Sequence, residues 1–145
     1  MERAILINVA ATKAERSEAE ESLAELAGLA AAAGAEVVGK VQQVRPRLNP
    51  RWLVGEGKVA EIAAEAREAD ADMVVFDRNL SAAQQQNLED EIKVKVVDRT
   101  QLILDIFAQR ARTNEGKLQV ELAQLSYQLP RLRGKGLSLT QQGAG

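Results

Sequence analysis

Met73 to Asp98 reads MVVFDRNLSAAQQQNLEDEIKVKVVD, and this stretch decides the fold. Met73–Phe76 is an unbroken apolar run, the pattern of a strand buried on both faces. Ser81 with Gln84 three residues later forms a capping box, so a helix begins there and runs to about Glu91. Val94 to Val97 is a second strand. A helix wedged between two such strands implies parallel pairing, with the helix covering the sheet.

The pattern extends outward in both directions. Toward the N-terminus, Arg3 to Val9 (RAILINV) reads as the first strand. Ser17 and Glu20 form a second capping-box pattern, followed by Leu23, Leu26 and Ala30 at helical spacing. Gly34 after the alanine run reads as the helix stop, and Ala35 to Val44 as the next strand. Pro46 and Pro50 bracket a loop, Trp52–Val54 is a brief extended piece, and Val59, Ile62 and Ala66 mark another helix. The expected fold is α/β over residues 1–98: a four-stranded, mostly parallel sheet flanked by helices. From Arg99 no strand is evident. Leu102, Ile103, Ile106 and Phe107 give a helix with a wide apolar face, and Thr113 or Asn114 caps the next one. Leu118, Leu122, Leu125 and Leu129 form a heptad-like stripe, which either docks on the body or packs against another helix. Pro130 reads as the end of that helix. Residues 99–130 are thus the first part of a helical subdomain, and residues 131–145 (RLRGKGLSLTQQGAG) a Gly-rich basic loop or tail.

Composition sets limits. With 145 residues, 46% apolar and 28% charged, the chain has enough material for a globular core. The absence of Cys removes disulfides and thiolate chemistry, and the absence of His removes the usual neutral-pH base and the commonest transition-metal ligand. No apolar run reaches the roughly 18 residues of a membrane span. A cytoplasmic protein is expected. Residues 1–98 hold 12 Lys/Arg against 18 Asp/Glu, and residues 99–145 hold 7 against 3. An acidic body with a basic end either meets an anionic partner through that end or divides its charge unevenly without consequence.

The motifs that carry chemistry are sparse. Gly55-Glu56-Gly57-Lys58 resembles the end of a phosphate loop, but Trp52 stands where a Walker motif needs its first glycine and Val59 where it needs Ser or Thr. The four residues are a weak nucleotide site built on a helix start, or a tight strand-to-helix turn. Asp70 and Asp72 suit a turn. Asp77 and Asp98 each close a strand at the carboxyl edge of the sheet, where α/β folds hold ligands such as a metal or a ribose. No nucleophile–base pair accompanies them, so no catalytic residue and no metal site is assigned. Arg110, Arg112 and Lys117 surround a helix junction, and Arg131, Arg133 and Lys135 lie in the tail. These six cations are the candidate RNA contacts, through backbone phosphate and shape, since Tyr127 alone makes no stacking platform. The alternative is a solvated basic end.

Val97-Asp98-Arg99-Thr100-Gln101-Leu102-Ile103-Leu104-Asp105-Ile106-Phe107-Ala108-Gln109-Arg110-Ala111-Arg112-Thr113 resembles a hallmark segment of HflX-type GTPases. So do Glu115 to Leu125, Tyr127, and Leu129 to Leu132, and, in the first half, Val54 to Val59, Phe76-Asp77, Leu80-Ser81, Gln84 and Asn87 to Glu89. The likeness covers nearly the whole chain. It implies an N-terminal domain, an α/β subdomain followed by a helical one, whose GTPase domain lies beyond Gly145 and carries the GTP and Mg2+. The resemblance further implies contact with the large ribosomal subunit and its rRNA, with the intact protein splitting or rescuing stalled ribosomes. By the same resemblance, Arg131, Arg133 and Lys135 are expected to fall in the loop that meets RNA. The fragment alone is expected to hold no cofactor and to have no GTPase activity. Two other roles are open: an ATP-binding module at the Gly55–Lys58 turn and sheet edge, and a regulatory scaffold for its own GTPase domain.

Overall fold

A computed structural model describes residues 1–134, with side chains through Arg131. Four strands, β1 (Arg3–Ala10), β2 (Glu36–Val44), β3 (Met73–Phe76) and β4 (Lys95–Asp98), form one sheet in the order β2-β1-β3-β4. All three pairings are parallel. The helices are α1 (Lys13–Ser17), α2 (Ala19–Ala32), α3 (Glu56–Glu68), α4 (Ala82–Ile92), α5 (Arg99–Arg110) and α6 (Asn114–Gly134).

Strand alternation divides the core into two layers. Ile5, Ile7, Val74, Phe76 and Val96 point to one face, where Val59 and Ile62 of α3 and Leu88 and Ile92 of α4 cover them. Ala4, Leu6, Met73, Val75 and Val97 point to the other, beneath Leu23, Leu26 and Ala30 of α2 and Leu102 of α5. This is the α/β sheet that the Met73–Asp98 stretch predicts, with every pairing parallel. No helix among the described residues is long and apolar enough to cross a membrane.

The local signals are realised unevenly. Ser81 caps α4 with Gln84 as its box partner. Gly34 takes φ +88°, and the N–H groups of Gly34 and Ala35 reach back to Ala31 and Ala30, a glycine-terminated helix end. The first capping box, however, is Thr12 with Glu15, not Ser17 with Glu20. Ser17 instead donates its hydroxyl to the Lys13 carbonyl at the end of the short α1. The largest departure is at Pro130. α6 runs through it to Gly134, so residues 131–134 are helical rather than the start of a loop. Proline removes one N–H from the ladder and does not by itself terminate a helix whose following turn is anchored elsewhere.

Candidate functional site

The junction of β4 and α5 is densely hydrogen-bonded. Asp98 is wholly buried there. It is the N-cap of α5: its Oδ1 accepts from the Gln101 N–H at 3.0 Å, while its own N–H donates to Gln101 Oε1 at 3.0 Å. Its Oδ2 accepts from the Leu80 N–H at 3.0 Å and from the Tyr127 hydroxyl, and lies 3.5 Å from Arg131 Nη2. A buried carboxylate requires such pairing, because an unpaired charge in the interior is very costly. Both oxygens are occupied, so Asp98 is not free to hold a metal or a ribose.

Arg131 closes the junction from α6. Its Nε donates to Gln85 Oε1 at 2.9 Å, its Nη1 to the Tyr127 carbonyl at 2.8 Å, and its Nη2 to the Leu80 carbonyl. Its guanidinium also stacks over the Tyr127 ring, 3.6 Å from the centroid. Gln85 in turn donates to the Val96 carbonyl at 2.6 Å, tying α4 to β4. Burial and the hydrogen bond to Asp98 push the Tyr127 hydroxyl above the usual phenol range, so it keeps its proton and donates. Asp98, Tyr127, Arg131, Gln85 and the Leu80 backbone thus form a polar clasp that fastens α6 to the body.

The sequence-predicted residues fall into three groups. Arg131 is drawn into this clasp, on a helix rather than in a loop. Arg133 lies in the last turn of α6 with its side chain outside the described residues, and Lys135 lies outside them altogether. Arg110, Arg112 and Lys117 stand exposed around the α5–α6 junction. Their side chains enter no ion pair among the described residues. The structure does not bring these three together with Arg131, which sits at the opposite end of α6.

The Gly55–Lys58 segment has the geometry of a helix start. Gly55 is the N-cap of α3, and its N–H is already given to Gln43 Oε1 at 2.9 Å. A Cβ on Gly55 would lie 2.6 Å from Arg45 Nη1, so the glycine makes room for an arginine side chain. Gly57 lies inside the helix, and Lys58 pairs with Glu61 at 2.9 Å. These residues do not fit the phosphates of a bound nucleotide or its Mg2+. Asp72 accepts from the Arg3 N–H at 2.8 Å, and Asp77 is engaged by Asn8 and Ser22. Among the described residues no group of three carboxylates gathers as a metal site.

Two members of the clasp escape a reading of the sequence. Tyr127 carries a signal, being the one tyrosine in the chain, set between leucines. Gln85 carries a weaker one: it stands three residues before Leu88 and seven before Ile92, on the buried stripe of α4.

Comparison with known proteins places the whole chain. Residues 20–108 match the family described as GTP-binding GTPase N-terminal, and residues 110–145 match GTP-binding GTPase Middle Region. The chain is 50% identical over 145 residues to a GTPase HflX of Alkalihalophilus pseudofirmus, covering 100% of this chain and 34% of that protein. It is 44% identical over 144 residues to a GTPase HflX of Escherichia coli, covering 99% and 33%. Among solved structures, a mutation variant of SsGBP superposes with a TM-score of 0.74 at 25% identity, over 94% of this chain and 42% of that one. A GTP-binding protein from the hyperthermophilic archaeon Sulfolobus solfataricus in complex with GDP gives 0.69 at 26% identity, over 94% and 40%. The chain spans about a third of the length of the curated relatives it matches. With two consecutive family regions accounting for residues 20–108 and 110–145, the chain belongs to the HflX-type GTPases, of which it carries the N-terminal and middle regions.

Proposed function

We propose that this chain is the ribosome-contacting module of an HflX-like GTPase, binding rRNA of the large subunit in the cytoplasm, and that the intact protein helps split or rescue stalled ribosomes. The observation that carries this reading is the cluster of Arg110, Arg112 and Lys117. All three are exposed at the α5–α6 junction and have no ion-pair partner among the described residues, in an otherwise acidic protein. Exposed cations at a helix junction suit phosphate contacts. Arg133 and Lys135, beyond the clasp, form the second group of contacts. Arg131 has a different part: it fastens α6 to the body. GTP and its Mg2+ are handled by the GTPase region of the longer protein, and this chain has no hydrolytic role.

Co-sedimentation with large ribosomal subunits at rising salt tests the proposal. Arg110→Ala, Arg112→Ala and Lys117→Ala each lower affinity and reduce the salt slope by about 1 for every phosphate that is no longer neutralised. Binding that is unchanged in the triple variant sinks this assignment of the RNA-facing cations.

A second reading rests on the exposed leucines of α6. Leu118, Leu122, Leu125 and Leu129 are each about half exposed, which favours a docking role toward the protein's own GTPase domain. Complex formation between this chain and that domain, abolished by Leu122→Gln, supports it. Failure of the two to associate removes it.

A further inference from the structure

The connections leaving β1 and β3 diverge at the carboxyl edge of the sheet. β1 leads through α1 and α2 to β2 on one side, and β3 leads through α4 to β4 on the other. In open parallel sheets such a divergence opens a crevice where small ligands sit. Here it is a cleft of about 190 Å³ lined by Asn8, Glu15, Glu18, Ser22, Asp77 and Arg78.

Asn8 is the informative residue. It is only 4% exposed. Its Nδ2 donates to Asp77 Oδ2, which also accepts from Ser22 Oγ at 3.0 Å. Turning the amide round would set two acceptors face to face, so its orientation is determined by Asp77. The atom left over is Asn8 Oδ1, buried and without a hydrogen-bond partner. A buried acceptor left unmet costs free energy, and in a ligand crevice it marks where a donor belongs.

Among the lining side chains Arg78 is the one cation, and its Nη1 is committed. Arg78 Nη1 donates to Glu15 Oε2 at 2.9 Å and to the Val9 carbonyl at 3.2 Å. Glu15 Oε1 takes the N–H groups of Ala11 and Thr12. The acceptors left for a ligand are Asn8 Oδ1, Asp77 Oδ1 with a single long contact from the Val9 N–H at 3.4 Å, the lone pairs of Ser22, and the exposed carboxylate of Glu18. Three carboxylates against one guanidinium repel phosphate. A compact cation with several N–H donors and no acceptor is the complement, and an alkylammonium has that character.

We propose that this cleft binds a primary ammonium group, anchored on Asn8 Oδ1, with Asp77, Ser22 and Glu18 supplying charge and further acceptors. The group comes either from a free aliphatic amine or from a lysine side chain of a protein partner. Both present the same chemistry to the cleft.

Proton–nitrogen correlation spectra of the 145-residue chain test it, titrated separately with putrescine, Nα-acetyl-lysine amide and tetramethylammonium at matched ionic strength. The expected result is saturable shifts of the Asn8 side-chain amide and of the Val9, Ser22 and Asp77 backbone amides with the ammonium probes. Tetramethylammonium, which has the charge but no N–H, leaves them in place. A response to putrescine alone identifies a free amine, and an equal or stronger response to the lysine derivative identifies a partner's side chain. Glu18→Gln and Ser22→Ala each weaken the apparent Kd by about three- to tenfold while the rest of the spectrum is unchanged. Equal shifts with tetramethylammonium, shifts indifferent to both substitutions, or no shift with any probe overturn the site.

Discussion

The body and α6 are built on opposite principles. In the body, apolar side chains point inward: Phe76, Ile5, Ile62 and Leu26 are fully buried, and Asp98 at the end of β4 is the one fully buried charged residue among the described residues. In α6 the inward face is polar. Gln124, Tyr127, Gln128 and Arg131 turn toward α4, α5 and the β4 edge, while Leu118, Leu122, Leu125 and Leu129 are 49–57% exposed. Phe107 of α5 joins the exposed side at 56%. The body is held by area removed from water, whereas α6 is held by a few directed hydrogen bonds. The first kind of attachment is tolerant of detail. The second depends on single atoms, and among the described residues it leaves the leucine face half exposed.

The widest gap between the two is seen by deleting one element of each. Phe76→Ala opens a cavity beneath both α3 and α4 and costs about 4 kcal/mol of global stability in urea unfolding. Asp98→Ala costs about 3 kcal/mol, because it removes the carboxylate beside the Arg131 guanidinium and leaves the Leu80 and Gln101 N–H groups unmet. The two differ in kind as well. In hydrogen exchange, Phe76→Ala lowers protection throughout the sheet, whereas Asp98→Ala releases α6 first. Uniform loss of protection in Asp98→Ala would mean that the clasp belongs to the core and that the comparison is wrong.

Tyr127→Phe is the finer cut, with an expected loss of about 1 to 2 kcal/mol, since Asp98 retains Leu80, Gln101 and Arg131. It also gives the clasp a pH signature. The folded-state pKa of Tyr127 is raised above the ordinary value of 10.0. Its contribution is therefore complete below pH 10 and is lost progressively above it, as the unfolded chain gains by ionising a phenol that the folded chain keeps neutral. The stability difference between the parent chain and Tyr127→Phe should shrink as pH rises past 10. A constant difference would show that the hydroxyl proton is not held by Asp98.

The same contrast explains what can be read in advance. The body is legible because its signals are local. Met73–Phe76 is continuous in its apolarity, and Ser81 and Gln84 have one sensible partner each. The start of the first helical segment is ambiguous because two equal patterns, Thr12-x-x-Glu15 and Ser17-x-x-Glu20, compete, and tertiary placement alone tells them apart. α6 is legible as an amphipathic helix, but not which of its faces is buried. Leucines at heptad spacing ordinarily mark the inner face. Here a buried carboxylate twenty-nine residues before Tyr127 selects the polar one. The end of α6 is hidden for the same reason: Arg131 anchors the turn after Pro130 through Gln85 and Leu80, which lie on other elements. The candidate cations are visible as a composition shift. That Arg131 is spent on the clasp is not, because its partners are distant in sequence.

The smallest effect is the most diagnostic of the comparison. If the leucine face of α6 contributes nothing to this fold, replacing Leu122 and Leu125 together with Gln changes unfolding free energy by less than about 0.5 kcal/mol per site. Leu26→Ala, a truncation of the same residue type in α2, costs about 3 kcal/mol because Leu26 is wholly buried. The leucines differ only in where the chain places them. Urea melts of the two variants side by side make the contrast. A loss of about 2 kcal/mol or more in the α6 variant, the range of a buried leucine, would show that the stripe is covered by the body in solution, and that α6 is held by area after all. A negligible loss leaves Leu122 and Leu125 with no structural duty in this fold, as expected of a face that docks on a partner.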